Sequence, residues 1–146
     1  MRQAGKIVAE ILRILTEQMK PGMKTKELDI IAERELKRRG AGSSFKSYRG
    51  YPATLCVSVN DEIVHGIPGD RVLKEGDIVS LDFGAVYHGF HGDAAVTVPV
   101  GKVSPEAKRL IETTRGSLEK GIAAARAGAK LGDIPAAIQS LSLIHI

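Results

Sequence analysis

The feature that most narrows the possible folds is a pair of runs, Asp77 to Ala85 and Phe90 to Val98, rich in β-branched and aromatic residues and separated by Tyr87-His88-Gly89. Runs of this kind around a short glycine-bearing segment read as an antiparallel hairpin. An even-numbered loop centred between Tyr87 and His88 sets Asp82, in Ile78-Val-Ser-Leu-Asp-Phe-Gly84, directly opposite Asp93, in Gly89-Phe-His-Gly-Asp-Ala94. Side chains alternate along a strand, so both carboxylates leave the sheet on one face with Ser80, Gly84, Ala95 and Thr97. The opposite face carries Val79, Leu81, Phe83, Val96 and Val98 and reads as core.

Two carboxylates at cross-strand spacing repel each other. A divalent cation relieves that repulsion. The pair by itself serves equally well as a turn cap and a solvated edge carboxylate. The small residues around it favour a pocket wall with room for ions and substrate. A single cysteine, Cys56, forms neither an intramolecular disulfide nor a thiolate zinc cluster, so a metal here is expected on oxygen and imidazole ligands.

With 146 residues, 43% of them hydrophobic and 26% charged, the chain is long enough for one globular core and is not of disordered composition. Its apolar stretches are short and interrupted by charge, so neither a membrane span nor a secretory signal is expected and the expected compartment is the cytoplasm. The net charge of +4 is modest, and the densest basic run, Lys37-Arg38-Arg39, precedes Gly40. Cations in a last helical turn complement the helix dipole, which is the preferred reading over nucleic-acid binding. Specific DNA recognition is not expected, whereas a weak attraction to an anionic partner such as ribosomal RNA stays open.

Ile7, Val8, Ile11, Leu12, Leu15 and Met19 recur at helical spacing and stop at Pro21-Gly22, marking a first helix. Thr25 is the expected cap of a second, running through Leu28, Ile31, Ala32 and Leu36 to Gly40. A loop from Gly40 to Pro52 leads to strands from Thr54 to His65 and from Asp77 to Val98. Ser104-Pro105-Glu106 opens a third helix with Leu110, Ile111, Leu118 and Ile122 as its apolar side, and Asp133 opens a fourth that reaches about Gln139. Helices flanking antiparallel hairpins make an α+β chain.

Within the first strand region, a two-residue turn at Asn60-Asp61 places His65 opposite Cys56. A lone histidine is commonly structural, but one followed by Gly-Ile-Pro at a strand end is exposed by the chain reversal and can donate to a scissile amide or an oxyanion. Tyr48 and Tyr51 either line a small apolar pocket with Cys56 or simply pack the loop.

The series Gly50-Tyr51-Pro52, Cys56-Val-Ser-Val-Asn60, His65-Gly-Ile-Pro68, Leu73-Lys-Glu-Gly-Asp-Ile-Val79, Leu81-Asp-Phe-Gly84, Gly89-Phe-His-Gly-Asp93 and Val100-Gly101 resembles the type I methionine aminopeptidases of the pita-bread metallopeptidase family. The likeness extends to about Gln139. It implies the first half of a pita-bread fold and removal of the N-terminal methionine from nascent proteins and peptides, using two divalent ions (Co, Mn, Fe or Zn). By the resemblance Asp82 chelates one ion, Asp93 bridges both, His65 contacts substrate and steadies the transition state, and Tyr48, Tyr51 and Cys56 lie near the methionine pocket. His91 falls within the motif but is no family ligand and is expected to act structurally or behind the ligands. The ribosome surface is a further partner the family reading allows. A relative that cleaves before proline and a non-catalytic peptide- or RNA-binding member are the alternatives.

The resemblance also implies one histidine and two glutamates as further ligands, and nothing in this chain replaces them: His88, His91 and His145 are its only other histidines, and Glu106, Glu112 and Glu119 fall on a helix. Inactivity of the chain as written is therefore expected, with apolar surface left uncovered. Met1 reads as an internal methionine of the family's first helix. Residues 1–139 are expected to belong to the catalytic domain and residues 140–146 to be a non-native tail, because Leu141-Ser-Leu-Ile-His-Ile146 reads like a translated sequencing adapter.

Overall fold

The computed structural model describes residues 1–145 and divides into two compact units, Met1–Val103 and Ser104–Ile146. In chain order the first holds α1 (Arg2–Gln18), α2 (Thr25–Arg38), β1 (Gly42–Ser43), β2 (Leu55–Val59), β3 (Ile78–Tyr87) and β4 (Phe90–Pro99). The second holds α3 (Pro105–Ala124) and α4 (Asp133–His145). The mixture of helices and antiparallel sheet is the expected one.

β3 is the spine of the sheet. Along one edge it pairs antiparallel with all of β4, and along the other with β2 and then β1. Period-two alternation sends Val79, Leu81 and Phe83 of β3 and Leu55, Val57 and Val59 of β2 to a common side, where they pack with Ile7, Val8, Ile11 and Leu15 of α1 and Leu28 of α2. Phe83, Leu81 and Ile11 are wholly buried.

The helix expected from the apolar stripe ends where Pro21-Gly22 breaks the pattern, as read from sequence. Thr25 does not cap α2. It is the first helical residue, and its buried hydroxyl donates to the Gly69 carbonyl and accepts from the Gly69 amide. The Glu27 carboxylate accepts from the Lys24 amide at 2.6 Å and does the capping instead.

α1 lies directly against β4. A Cβ on Gly92 would stand 2.7 Å from backbone atoms of both Ala4 and Gly5. Backbone cannot swing aside as a flexible side chain would, so Gly92→Ala should push the helix off the sheet and lower stability by about 1–3 kcal/mol. Urea unfolding measures this, and an unchanged midpoint would mean that α1 can slide without penalty.

In the second unit Ser104 caps α3 as expected, its Oγ accepting from the Ala107 amide at 3.1 Å. The anticipated apolar side is not the packed one. Leu118 and Ile122 are 53% and 64% exposed, whereas Ser117 and Gly121 are buried. Ile138 of α4 sits so close that a Cβ on Gly121 would be 2.8 Å from its side chain. Small residues on α3 thus admit the bulk of α4, a choice that apolar periodicity does not reveal. α4 also runs past the expected end at Gln139, to His145, because no glycine or proline interrupts Ser140 to His145. The expected tail ends on Ile146, which lies outside the described residues.

Candidate active site

The hairpin that carries both aspartates turns through His88 and Gly89, with φ of 49° and 77°. Positive φ at both central residues is what a two-residue loop of the favoured hand requires. The loop is therefore centred between His88 and Gly89 instead of between Tyr87 and His88. Asp82 pairs with Ala95, and Asp93 pairs with Gly84, so the two carboxylates are diagonal neighbours and not directly opposed. A slip of two residues preserves side-chain parity. Both aspartates still leave the same face.

β2 brings the third participant. Cys56 is the register partner of Asp82, so the thiol and the carboxyl share that face. The buried Cys56 thiol is pushed up by loss of solvent and then by the charges of Asp82 and Asp93, with Tyr51 opposing. The Asp82 carboxyl is also raised, first by burial and second by the nearby Asp93 charge, while His65 pulls it down. That repulsion between carboxylates is the one anticipated from sequence, reached through a different register.

His65 arrives by a loop and not by a strand. β2 stops at Val59, since Asn60 turns away at φ 60° to bond Asp77 and the Ile78 amide, and the Glu62 carboxylate accepts from the Val59 amide. Ile63 and Val64 are left 88% and 64% exposed. The chain then returns beside β2, where the Val57 amide donates to the Gly66 carbonyl at 2.9 Å and the Gly66 amide donates to Ser58 Oγ. A Cβ on Gly66 would lie 2.2 Å from the Val57 carbonyl oxygen, so only glycine allows this approach. His65 takes φ 59°, a left-handed conformation unusual for a side-chain-bearing residue.

The loop between β1 and β2 forms the other side. Tyr51 sends its hydroxyl to the carbonyls of Leu55 and Gly66, at 3.2 and 3.1 Å, which clamps the loop to the His65 segment. Burial and the neighbouring Cys56 hold its phenol well above the ordinary range, so it remains a donor. Phe45 meets Tyr51 edge to face at 6.5 Å, and the Arg49 guanidinium lies over the Tyr48 ring at 5.5 Å.

Together these elements enclose an open cleft of about 880 Å³ whose lining includes all six residues singled out from sequence, Tyr48, Tyr51, Cys56, His65, Asp82 and Asp93. It also includes Ser44, Phe45, Arg49, Ile67 and His91, which sequence reading did not assign to the pocket. The signal for Phe45 was Gly84: a β-strand glycine on the aspartate face marks a close approach by something large. Among the described residues no three histidine, cysteine, aspartate or glutamate side chains gather into a metal-holding group. Nor does any described helix have the length and apolarity to cross a membrane.

Residues 1–142 match the family described as metallopeptidase family M24. Methionine aminopeptidase 1 of Bacillus subtilis (strain 168) is 54% identical over 140 residues, covering 96% of this chain and 56% of that protein. The fold superposes on the crystal structure of methionine aminopeptidase from Rickettsia prowazekii with a TM-score of 0.96 and 40% identity, covering 99% of this chain and 58% of the other. The corresponding enzyme structure from Thermotoga maritima gives a TM-score of 0.96 at 43% identity, with coverage of 99% and 58%. The chain thus spans about half the length of the curated relatives it matches, and its architecture is that of pita-bread methionine aminopeptidases over the shared part.

Proposed function

Because the chain belongs to metallopeptidase family M24, we propose that it is the first part of a methionine aminopeptidase that removes the N-terminal methionine from nascent proteins and peptides in the cytoplasm. The observation that carries the reading is the single cleft in which Asp82, Asp93, His65, Cys56 and the two tyrosines converge from four separate segments.

The donors fit the metal class in kind. Asp82 and Asp93 offer hard carboxylate oxygens on one face of the hairpin, and the Asp82 carboxyl is raised first by burial and then by the Asp93 charge, a repulsion that a cation between them would relieve. The donors do not suffice in number. Two carboxylates cannot complete the shells of two dications that each prefer about six ligands, so this chain by itself is proposed to be inactive. The chemistry that such ions supply when bound is activation of a water nucleophile and polarisation of the scissile carbonyl. The chain's own share is threefold. Asp82 and Asp93 would hold the ions, His65 would donate to the carbonyl oxygen as charge develops on it, and Tyr48, Tyr51 and Cys56 would form an apolar recess for an unbranched thioether.

The test compares methionine release from a Met-Ala peptide, with Mn²⁺ or Co²⁺ supplied, by this chain and by a protein of the relatives' full length. The long form should be active, and Asp82→Asn or Asp93→Asn should each lower its rate by more than about 100-fold, beyond the 10–100-fold typical of groups behind the ligands. This chain alone should release none. Release by it that Asp93→Ala abolishes would overturn the inactivity, and preferential cleavage of Xaa-Pro peptides by the long form would overturn the substrate.

A further inference from the structure

The aromatic wall of the cleft, residues 44–51, is a strained loop with no regular structure of its own beyond one tight turn at Tyr48–Gly50. Ser47, Arg49 and Gly50 all take positive φ, of 71°, 49° and 84°. Side-chain-bearing residues hold such conformations only where surrounding contacts over-determine them. At the Tyr51 end those contacts are the phenol bonds already described. At the other end they come from the hairpin. The Ser44 amide donates to the Gly84 carbonyl at 3.0 Å, and Ser44 Oγ shares a hydrogen bond with His91 Nδ1 at 3.0 Å. Gly84 has no side chain because none fits: its Cβ would lie 2.8 Å from both Phe45 Cε1 and Ser44 Cβ.

His91 therefore joins two parts of the site that are 47 residues apart in sequence. It stands on β4 two residues from Asp93, on the same face. We infer that His91 is a positioning residue: through Ser44 it ties the aromatic wall to the strand bearing Asp93 and so sets the spacing between the side-chain recess and the carboxylates. The inference rests on the reading of the cleft as a methionine site. It gives the imidazole of Gly89-Phe-His-Gly-Asp93 a task that neither metal ligation nor direct substrate contact supplies.

Hydrogen exchange on this chain tests the tie without catalysis. The amides of Ser47, Tyr48 and Tyr51 are hydrogen-bonded inside the loop and report its opening. His91→Ala should speed their exchange about five- to tenfold, the effect of one net hydrogen bond, while core amides such as Leu81 stay unchanged. His91→Asn should restore protection, because its side-chain amide lies as many bonds from Cβ as Nδ1 does, and Ser44→Ala should match His91→Ala with no further effect in the double variant. In a protein of the relatives' full length, His91→Ala should raise KM for a Met-Ala peptide about fivefold and alter kcat less than twofold. Exchange unaffected by His91→Ala overturns the tie. Faster exchange with KM unchanged overturns its role in substrate placement. A wild-type long form that releases no methionine defeats the enzyme reading, and the placement role falls with it, whatever exchange shows.

Discussion

Phe83→Ala should lower stability by about 4 kcal/mol, the largest single loss expected in this chain. Phe83 is wholly buried, at the centre of the sheet face covered by α1, and deleting a buried phenyl ring removes its transfer free energy and leaves a cavity. The consequence reaches the site because Phe83 is the neighbour of Asp82. Burial of Val79, Leu81 and Phe83 on one side forces Ser80, Asp82 and Gly84 to the other. Urea denaturation of this chain and its Val96→Ala counterpart, altered at a partly buried position, makes the comparison. A loss below about 2 kcal/mol for Phe83→Ala would mean that the hairpin's facing is set elsewhere.

The second large effect is expected at Glu35, which does not line the cleft. Its side chain is only 4% exposed, yet it is charged, held by Arg39 at 2.7 Å and by Arg34 and Arg38 at 3.3 Å each. The Arg39 hydrogen bond, ahead of the other arginines, holds the Glu35 carboxyl below its ordinary value of 4.5 although burial pulls the other way. A carboxyl lowered in the folded state stabilises fully above its unfolded pKa and loses that contribution as the pH falls through the folded one. Glu35→Gln should therefore cost about 3 kcal/mol at pH 7, because it leaves Arg39 partly buried beside an uncharged amide with Glu10 as its remaining counter-ion among the described residues. The difference from wild type should stay constant above about pH 5 and shrink below the ordinary carboxyl value. A difference that persisted unchanged to pH 3 would show that the loss is packing and not charge. The same cluster engages part of the basic run at the end of α2: Arg38 and Arg39 both reach the Glu35 carboxylate, and Arg39 also donates to the Glu35 carbonyl.

What could be read from the residues alone followed from local rules. Alternation of Val79, Leu81 and Phe83 with Ser80, Asp82 and Gly84 determined which face holds the carboxylates. That assignment survived an error in the hairpin loop because slipping the register by two leaves parity untouched. Apolar periodicity and capping chemistry likewise determined α1 and the start of α3. The single cysteine excluded an intramolecular disulfide.

Tertiary structure decided what depends on contacts between distant segments. The left-handed pair His88-Gly89 chose the loop centre, and with it made Asp82 and Asp93 diagonal instead of opposed. Asn60 ended β2 by bonding Asp77 and Ile78, so His65 reaches the cleft on a strained loop where alternation had continued the strand. The packed side of α3 followed α4 and not its own apolar stripe. Ser44 and Phe45 joined the cleft because Gly84 leaves the space they fill, and His91 joined it beside Ser44, to which it is hydrogen-bonded. Period and propensity act over a few residues, and a sequence carries them directly. A hydrogen bond between Ser44 and His91 exists only after the sheet has formed, and no local pattern encodes it.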